Sequence, residues 1–399
     1  MTEISEEVKT GKEVLIDYLT CTFEFYSIDV EKELEVVDDI VDTFSKLLKI
    51  PQENIYEKEF GKGNYRYVYE LGEGITLKIC GPLNASGIHT NSLEMKGEGC
   101  REFERQNGKD KWYLFLLTMS AQFQAQCTRI DLTIDDYDGT IISFNWLRDK
   151  LEREMYTSSF KKSFSIYGNK YDGYSITFGQ RKQNSKINQQ LCIYEKNKEQ
   201  LSKGNQCNQP YWTRYEMRFM HEKAQYVFID VICAFDGEIR YPEKRTIPKG
   251  EDGFKILLSS LLYGLLDIKE DSTYDTTNLH KVPTDALWTQ FVQTISKAKI
   301  SSPKSKNPKW NKFDSYIHQT LPLYMVCKYI QNGCNYNQYT KSVLQELNRD
   351  LTIILESDKK FRRVNSFLVE LGNPTINKSK ILMEIKRLEK HLKEEELPF

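Results

Sequence analysis

No apolar run in this 399-residue chain approaches the roughly 20 residues that a membrane-spanning helix needs. The longest, Ile256 to Leu266, is interrupted by Ser259, Ser260, Tyr263 and Gly264. The polar, acidic stretch from Met1 to Lys12 is no secretory signal, so a cytoplasmic protein without a bilayer span is expected. Net charge is missing too. Lys and Arg number 56 against 57 Asp and Glu, leaving −1 and a pI near 6.6. Any polyanionic partner must therefore be met by local basic faces. The nine cysteines include no Cys-x-x-Cys pair, which excludes a zinc knuckle or a disulfide framework. Cys21, Cys100, Cys127, Cys192 and Cys233 lie in or beside apolar runs and suit a core in a reducing compartment. Histidine is scarce, with five residues at 89, 221, 280, 318 and 391.

What is present suits a globular chain of about two or three domains, with 39% hydrophobic and 28% charged residues. The alternation of Leu19, Cys21, Phe23 and Phe25 with Tyr18, Thr20, Thr22 and Glu24 predicts a strand over Val14–Phe25. An amphipathic helix over Val30–Leu48 and short strands follow. From Thr128 the pattern recurs as a strand, a helix over Phe144–Met155, and further strands. The two openings, Ile16-Asp17-Tyr18-Leu19-Thr20 and Ile130-Asp131-Leu132-Thr133, point to an internal duplication offset by about 114 residues. The fold class expected is α+β, an antiparallel-sheet domain over residues 1–235. The Gly-, Pro- and Lys-containing stretch 236–252 reads as a connector. Residues 253–399 read as an all-helical C-terminal domain, with helices over Ser315–Ile330, Asn337–Ser357, Arg362–Leu371 and Asn377–Glu396.

Chemistry concentrates on three strand-like runs. Alternation puts Arg129, Asp131, Thr133 and Asp135 on one face, opposite Ile130, Leu132 and Ile134. It groups Arg214 with Glu216 and Arg218, and Cys192 with Tyr194 and Lys196. Asp131 and Glu216 could share one hard cation, Mg²⁺ or Mn²⁺, with Glu94 and Asp135 as further ligands. The same residues could instead form an Arg–carboxylate ladder. Lys196 beside Tyr194 could lower the phenol's pKa or hold a phosphate, and Tyr167, Tyr171 and Tyr174 compete for its role. His89 and His221 are weaker ligand candidates. Expected phosphate contacts are Arg101, Arg129, Arg181, Lys182 and Arg214. A basic loop of Lys304, Lys306 and Lys309 around Trp310 combines charge with an aromatic, as single-stranded nucleic acid requires.

Met95 to Glu104, Arg129 to Asp136, Phe178-Gly179-Gln180-Arg181-Lys182, Ile193-Tyr194-Glu195-Lys196 and Arg214-Tyr215-Glu216 occur in this order. The series resembles the replication initiation factor family, which comprises initiators of rolling-circle plasmids and related conjugative relaxases. The resemblance spans roughly residues 12–235. It implies nicking of one DNA strand by a tyrosine, here Tyr194, through a 5′-phosphotyrosyl intermediate. It also implies homodimers and a cellular helicase as partner. Many rolling-circle nucleases hold metal with a His-hydrophobic-His pair, and no two histidines here are so spaced. Carboxylates would have to dominate any metal site. A sequence-specific DNA-binding protein without catalysis is the alternative reading.

Overall fold

The computed structural model describes residues 8–24, 33–58, 64–83, 88–160, 164–179, 188–239, 244–271 and 278–293, and most of two helices between 336 and 394. In chain order the elements begin with β1 (Lys12–Glu24), α1 (Glu33–Leu48), β2 (Ile55–Glu57), β3 (Tyr67–Leu71), β4 (Ile75–Ile79), β5 (Thr90–Met95), α2 (Gly97–Asn107) and α3 (Trp112–Ala121). Next come β6 (Gln126–Asp136), α4 (Phe144–Glu152), β7 (Tyr156–Ser158), β8 (Ser165–Asn169), β9 (Gly173–Phe178), β10 (Gln189–Glu195), α5 (Lys196–Ser202), β11 (Thr213–Met220) and α6 (Glu222–Phe235). After these lie β12 (Glu238–Ile239), β13 (Arg245–Thr246), α7 (Glu251–Leu265), β14 (Leu266–Ile268), α8 (Ala286–Val292), α9 (Tyr336–Leu355) and α10 (Lys378–Glu394).

Ten strands form one sheet in the order β2-β3-β4-β5-β1-β6-β11-β10-β9-β8, and its pairs are antiparallel. Read outwards from the central β1–β6 pair, the two halves match strand for strand. Each starts with a long strand, sends a helix out (α1 or α4), and returns through a meander to pair with that long strand. The duplication suggested by the two Ile-Asp openings is thus repeated in the topology.

Strand alternation sets the two faces. Leu19 and Cys21 of β1, Ile130, Leu132 and Ile134 of β6, Tyr215, Met217 and Phe219 of β11, and Leu191 and Ile193 of β10 are all buried. The helices α2, α6 and α7 pack on the central strands, with Val227, Phe228 and Val231 of α6 in the same core. The opposite face carries the polar partners of these alternations. Asp131, Thr133 and Asp135 belong to it, yet they too are buried. Between Ile16 and Tyr18 the β1–β6 register slips by one residue, a bulge at Asp17.

The expected boundary at 236–252 does not hold. The compact unit runs from Met1 to Lys306, and a second unit covers Asn307 to Phe399. The turn-forming composition that reads as a connector belongs to the β12–β13 hairpin. The apolar residues of α7, Phe254, Leu257, Leu258, Leu261, Leu262 and Leu265, are buried in the sheet's own core. β14 pairs with β7, so the region after 253 is not all helical. The ring of Phe291 lies 5.0 Å from that of Tyr215. Lys150 of α4, 3% exposed, bridges Asp285 at 2.9 Å and Asp271 at 3.0 Å, tying this segment down. In the second unit α9 and α10 pack together and match two of the expected helices. The helix expected over Ser315–Ile330 lies outside the described residues, and that over Arg362–Leu371 mostly does.

A chain ending at Asp252 should fail to fold. It would lose six buried α7 side chains, each contributing about 1.5–3 kcal/mol by burial, against a total stability of about 5–15 kcal/mol. Circular dichroism should show no cooperative melt. A cooperative transition near that of the full chain would restore the boundary at 236–252.

Candidate active site

Tyr194 lies on the polar face of β10, opposite Arg214 of β11 and Ser175 of β9. Its hydroxyl donates to Oε2 of Glu216 at 3.2 Å. Glu216 stands two residues further along β11, opposite Thr133 of β6. Its other oxygen accepts from Arg218 at 2.7 Å, and the same guanidinium donates to Asp131 at 3.1 Å. Arg129 completes the row, with Nε 3.0 Å from Asp131 and its plane stacked 3.8 Å from the Tyr18 ring centroid. Tyr194, Glu216 and Asp131 therefore meet as alternation predicts, and Arg218 forms the hinge between the two carboxylates.

Burial, and then the negative charge of Glu216, push the Tyr194 phenol far above its ordinary range, against the pull of Arg214. The lowering expected from Lys196 does not occur. The strand ends at Glu195, and Lys196 opens α5, where its ammonium pairs with Glu199 at 2.7 Å and lies 5.5 Å from the Tyr194 ring. Glu216 is itself raised, by burial first and then by Asp131. It is thus a carboxylate with high proton affinity, hydrogen-bonded to a phenol. Cys192 on the same face is no rival nucleophile, since burial raises its thiol to about 11. Of the competing tyrosines, Tyr171 is 78% exposed in the β8–β9 turn.

Several predicted residues are placed elsewhere. Arg214, expected on phosphate, is 6% exposed and grips both oxygens of Asp135 at 2.7 Å, while its third nitrogen reaches Asp17 at 3.0 Å. Asp135 is therefore an ion-pair residue. Glu94 accepts from Tyr18 at 2.6 Å and from Lys78 at 2.7 Å, two strands away from Asp131. Arg101 donates to the Ile16 carbonyl at 2.6 Å and pairs with Glu104 at 3.2 Å. His89 contacts the Gly81 carbonyl, and His221 forms the turn before α6. Arg181, Lys182, Lys304, Lys306, Lys309 and Trp310 lie outside the described residues. Asp17 is the residue that sequence reasoning missed. The repeated Ile-Asp opening was its signal, but only the bulge carries its carboxylate to Arg214.

Among the described residues, no group of three or more His, Cys, Asp or Glu side chains is arranged to hold a metal. The predicted set of four does not assemble. One pair fits the chemistry: Asp131 and Glu216 offer hard oxygen donors, repel one another, and already hold one positive group, Arg218, between them. A divalent ion held by this pair would supply the kind of positive charge that Arg218 gives both carboxylates here.

This site defines a class: a large antiparallel sheet with helices on one face and, on the other, a tyrosine bonded to a carboxylate within an Arg–carboxylate row. Residues 125–347, more than half of the chain, match the family model described as replication initiation factor, so the chain belongs to that family. Residues 13–118 match the N-terminal domain of rolling circle replication initiation proteins. The chain is 30% identical over 239 residues to "Putative DNA relaxase NicK" of Bacillus subtilis (strain 168), covering 58% of this chain and 61% of that one. It thus spans about three fifths of the length of the curated relative it matches. The rolling circle replication initiator protein of Geobacillus stearothermophilus superposes with a TM-score of 0.53 at 21% identity, over 72% of this chain and all of that one. That likeness supports the fold.

The raised carboxyl of Glu216 gives a pH signature. Its folded form holds the proton longer than its unfolded form, so its contribution to stability declines as pH rises from the ordinary carboxyl range of about 4.3 through the raised folded value. Glu216→Gln should remove that decline, so the variant's Tm should gain on the parent's as pH rises to neutrality. Parallel Tm-against-pH curves would contradict the assignment.

Proposed function

We propose that this chain nicks and rejoins one strand of DNA through Tyr194, starting rolling-circle replication or conjugative transfer. The observation that carries this reading is the 3.2 Å hydrogen bond from Tyr194 to a half-buried Glu216 whose carboxyl is raised in a chain of the replication initiation factor family. The relative's printed name is that of a DNA relaxase, and the structural neighbour's is that of a rolling-circle initiator.

In this mechanism Glu216 takes the phenolic proton as the Tyr194 oxygen attacks the scissile phosphorus. The bond from phosphorus to the 3′ oxygen breaks, and the leaving oxygen departs as a 3′-hydroxyl after gaining a proton. The 5′ phosphate stays joined to Tyr194, and attack by a 3′-hydroxyl reverses the step. Asp131 and Glu216 would hold the Mg²⁺ or Mn²⁺, whose contribution when bound is to polarise a non-bridging phosphate oxygen. Arg129 and Arg218 border the site as countercharges to the strand. Arg181, Lys182, Lys304, Lys306, Lys309 and Trp310 supply further contacts to DNA backbone and bases. The second unit contributes origin recognition, dimerisation or helicase docking. The site of action is the cytoplasm. Among the described residues no helix is long and apolar enough to cross a membrane.

A non-catalytic DNA-binding role is the second reading, favoured by the elevated phenol of Tyr194. Supercoiled plasmid carrying the neighbouring genomic sequence, incubated with Mg²⁺, separates the two. The parent chain should relax it and leave protein on the 5′ end. Tyr194→Phe should lower nicking by about 10³-fold or more while origin binding stays unchanged. Equal nicking by Tyr194→Phe would move the nucleophile to another residue.

A further inference from the structure

Just before β11, two residues from Arg214, stands Trp212, whose ring lies 5.5 Å from the Arg214 guanidinium. Two residues along a strand span about 7 Å, so Trp212 is one or two nucleotide steps from the residue paired with Tyr194. The Trp212 carbonyl accepts from the Lys196 backbone N–H at 2.7 Å, which fixes it to the start of α5. Tyr137, the residue that follows β6, lies 5.4 Å from Trp212 between ring centroids. These two rings border a cleft of about 560 Å³ walled by Gln206, Asn208 and Gln209. That volume is in the range of small-molecule sites.

The wall is made of amides. Gln209 is locked to the Lys9 backbone and the Tyr137 carbonyl. Gln206 and Asn208 are exposed. Among the described lining residues Lys9 alone is charged, and it sits 5.2 Å from the Tyr137 ring centroid. A single cation does not make a phosphate site. The indole N–H of Trp212 is buried and meets no acceptor among the described residues, a donor that a ligand or water would satisfy. Aromatic rings beside amides that both donate and accept are the groups that stack on a base and read its edge, with Asn and Gln suited to adenine.

We propose that this cleft takes one unpaired base of single-stranded DNA next to the nick, adenine preferred, stacked on the Trp212–Tyr137 pair and read by Gln206 and Asn208. The inference rests on the nicking function proposed above and adds its sequence reading. It makes the cleft a selector of where Tyr194 cuts: a strand whose flanking base seats there places its phosphate at Glu216 and Arg218.

The test uses full-length Tyr194→Phe protein, so that binding is read without cleavage. Fluorescein-labelled dA, dT and abasic oligonucleotides of about 12 nucleotides, within the span of such grooves, are titrated by anisotropy. The dA strand should bind about tenfold more tightly than the abasic strand, a stacking-sized effect. Adding Gln206→Ala and Asn208→Ala, both at exposed positions, should bring dA affinity down to that of dT and leave abasic affinity unchanged. Adding Trp212→Leu should bring both down to the abasic value. A dA-to-dT ratio untouched by the amide pair overturns the cleft assignment alone, and origin nicking by the parent chain would then still stand. Absence of binding to all three strands overturns the cleft and the nicking function together.

Discussion

The polar face depends on one buried guanidinium. Arg214 joins Asp135 of β6 and Asp17 at the bulge of β1, so a single side chain on β11 ties three neighbouring strands. Burying Arg214 and Asp135 is costly, and the cost is offset only when each oxygen and N–H finds a partner. The two-pronged grip on Asp135 meets that condition in the plane of the carboxylate. Loss of Arg214 leaves Asp135 and Asp17 without their shared cation. The triad therefore selects the strand register, and register decides everything else on this face. A one-residue slip of β10 or β11 would turn Tyr194 or Glu216 to the helix side.

The repeat in the topology shows how one half became the working half. Thr20 faces Glu94 on β5 as Thr133 faces Glu216 on β11. The extra residue in the first opening, Tyr18, is accounted for by the bulge. In this correspondence Ser92 matches Arg214 and Lys96 matches Arg218. The place of Tyr194 falls to Lys78, which pairs with Ser92 as Tyr194 pairs with Arg214. Lys78 donates to Glu94 at 2.7 Å as Tyr194 donates to Glu216 at 3.2 Å. The first half thus neutralises its glutamate with an ammonium, and Tyr18 adds a second hydrogen bond. The second half sets a phenol at the same place. The same scaffold therefore pairs one carboxylate with a cation and the other with a tyrosine.

Period-two alternation was enough to read Asp131, Glu216 and Tyr194 onto one face, because it holds wherever a strand runs without interruption. It failed where the backbone departs from it. The bulge hid Asp17, and the end of β10 turned Lys196 into the first residue of a helix. Alternation also reports face and not depth. Arg214 and Asp135 share the face of Tyr194, but the neighbouring charges bury them, and an apparent phosphate contact is a structural pair. The domain boundary was misread for a different reason. A hairpin has the composition of a linker, and only the packing of α7 and the buried Lys150 bridge reveal that the core continues past it.

The charge balance of the site explains why the phenol remains a phenol in this state. Asp17, Asp131, Asp135 and Glu216 stand against Arg129, Arg214 and Arg218, so acids outnumber bases in a largely buried row. Burial first, and then a neighbouring carboxylate, Glu216 beside Tyr194 and Asp131 beside Glu216, shift both groups upwards. An incoming phosphodiester brings a further negative charge and makes the imbalance worse. In the proposed reaction, attack would therefore need positive charge to arrive with the strand, as a divalent ion, as cations from the chain outside this row, or as Arg218 released from both carboxylates onto the phosphate. Under the proposed function, this arrangement would keep Tyr194 inert until a cation accompanies the strand into the row.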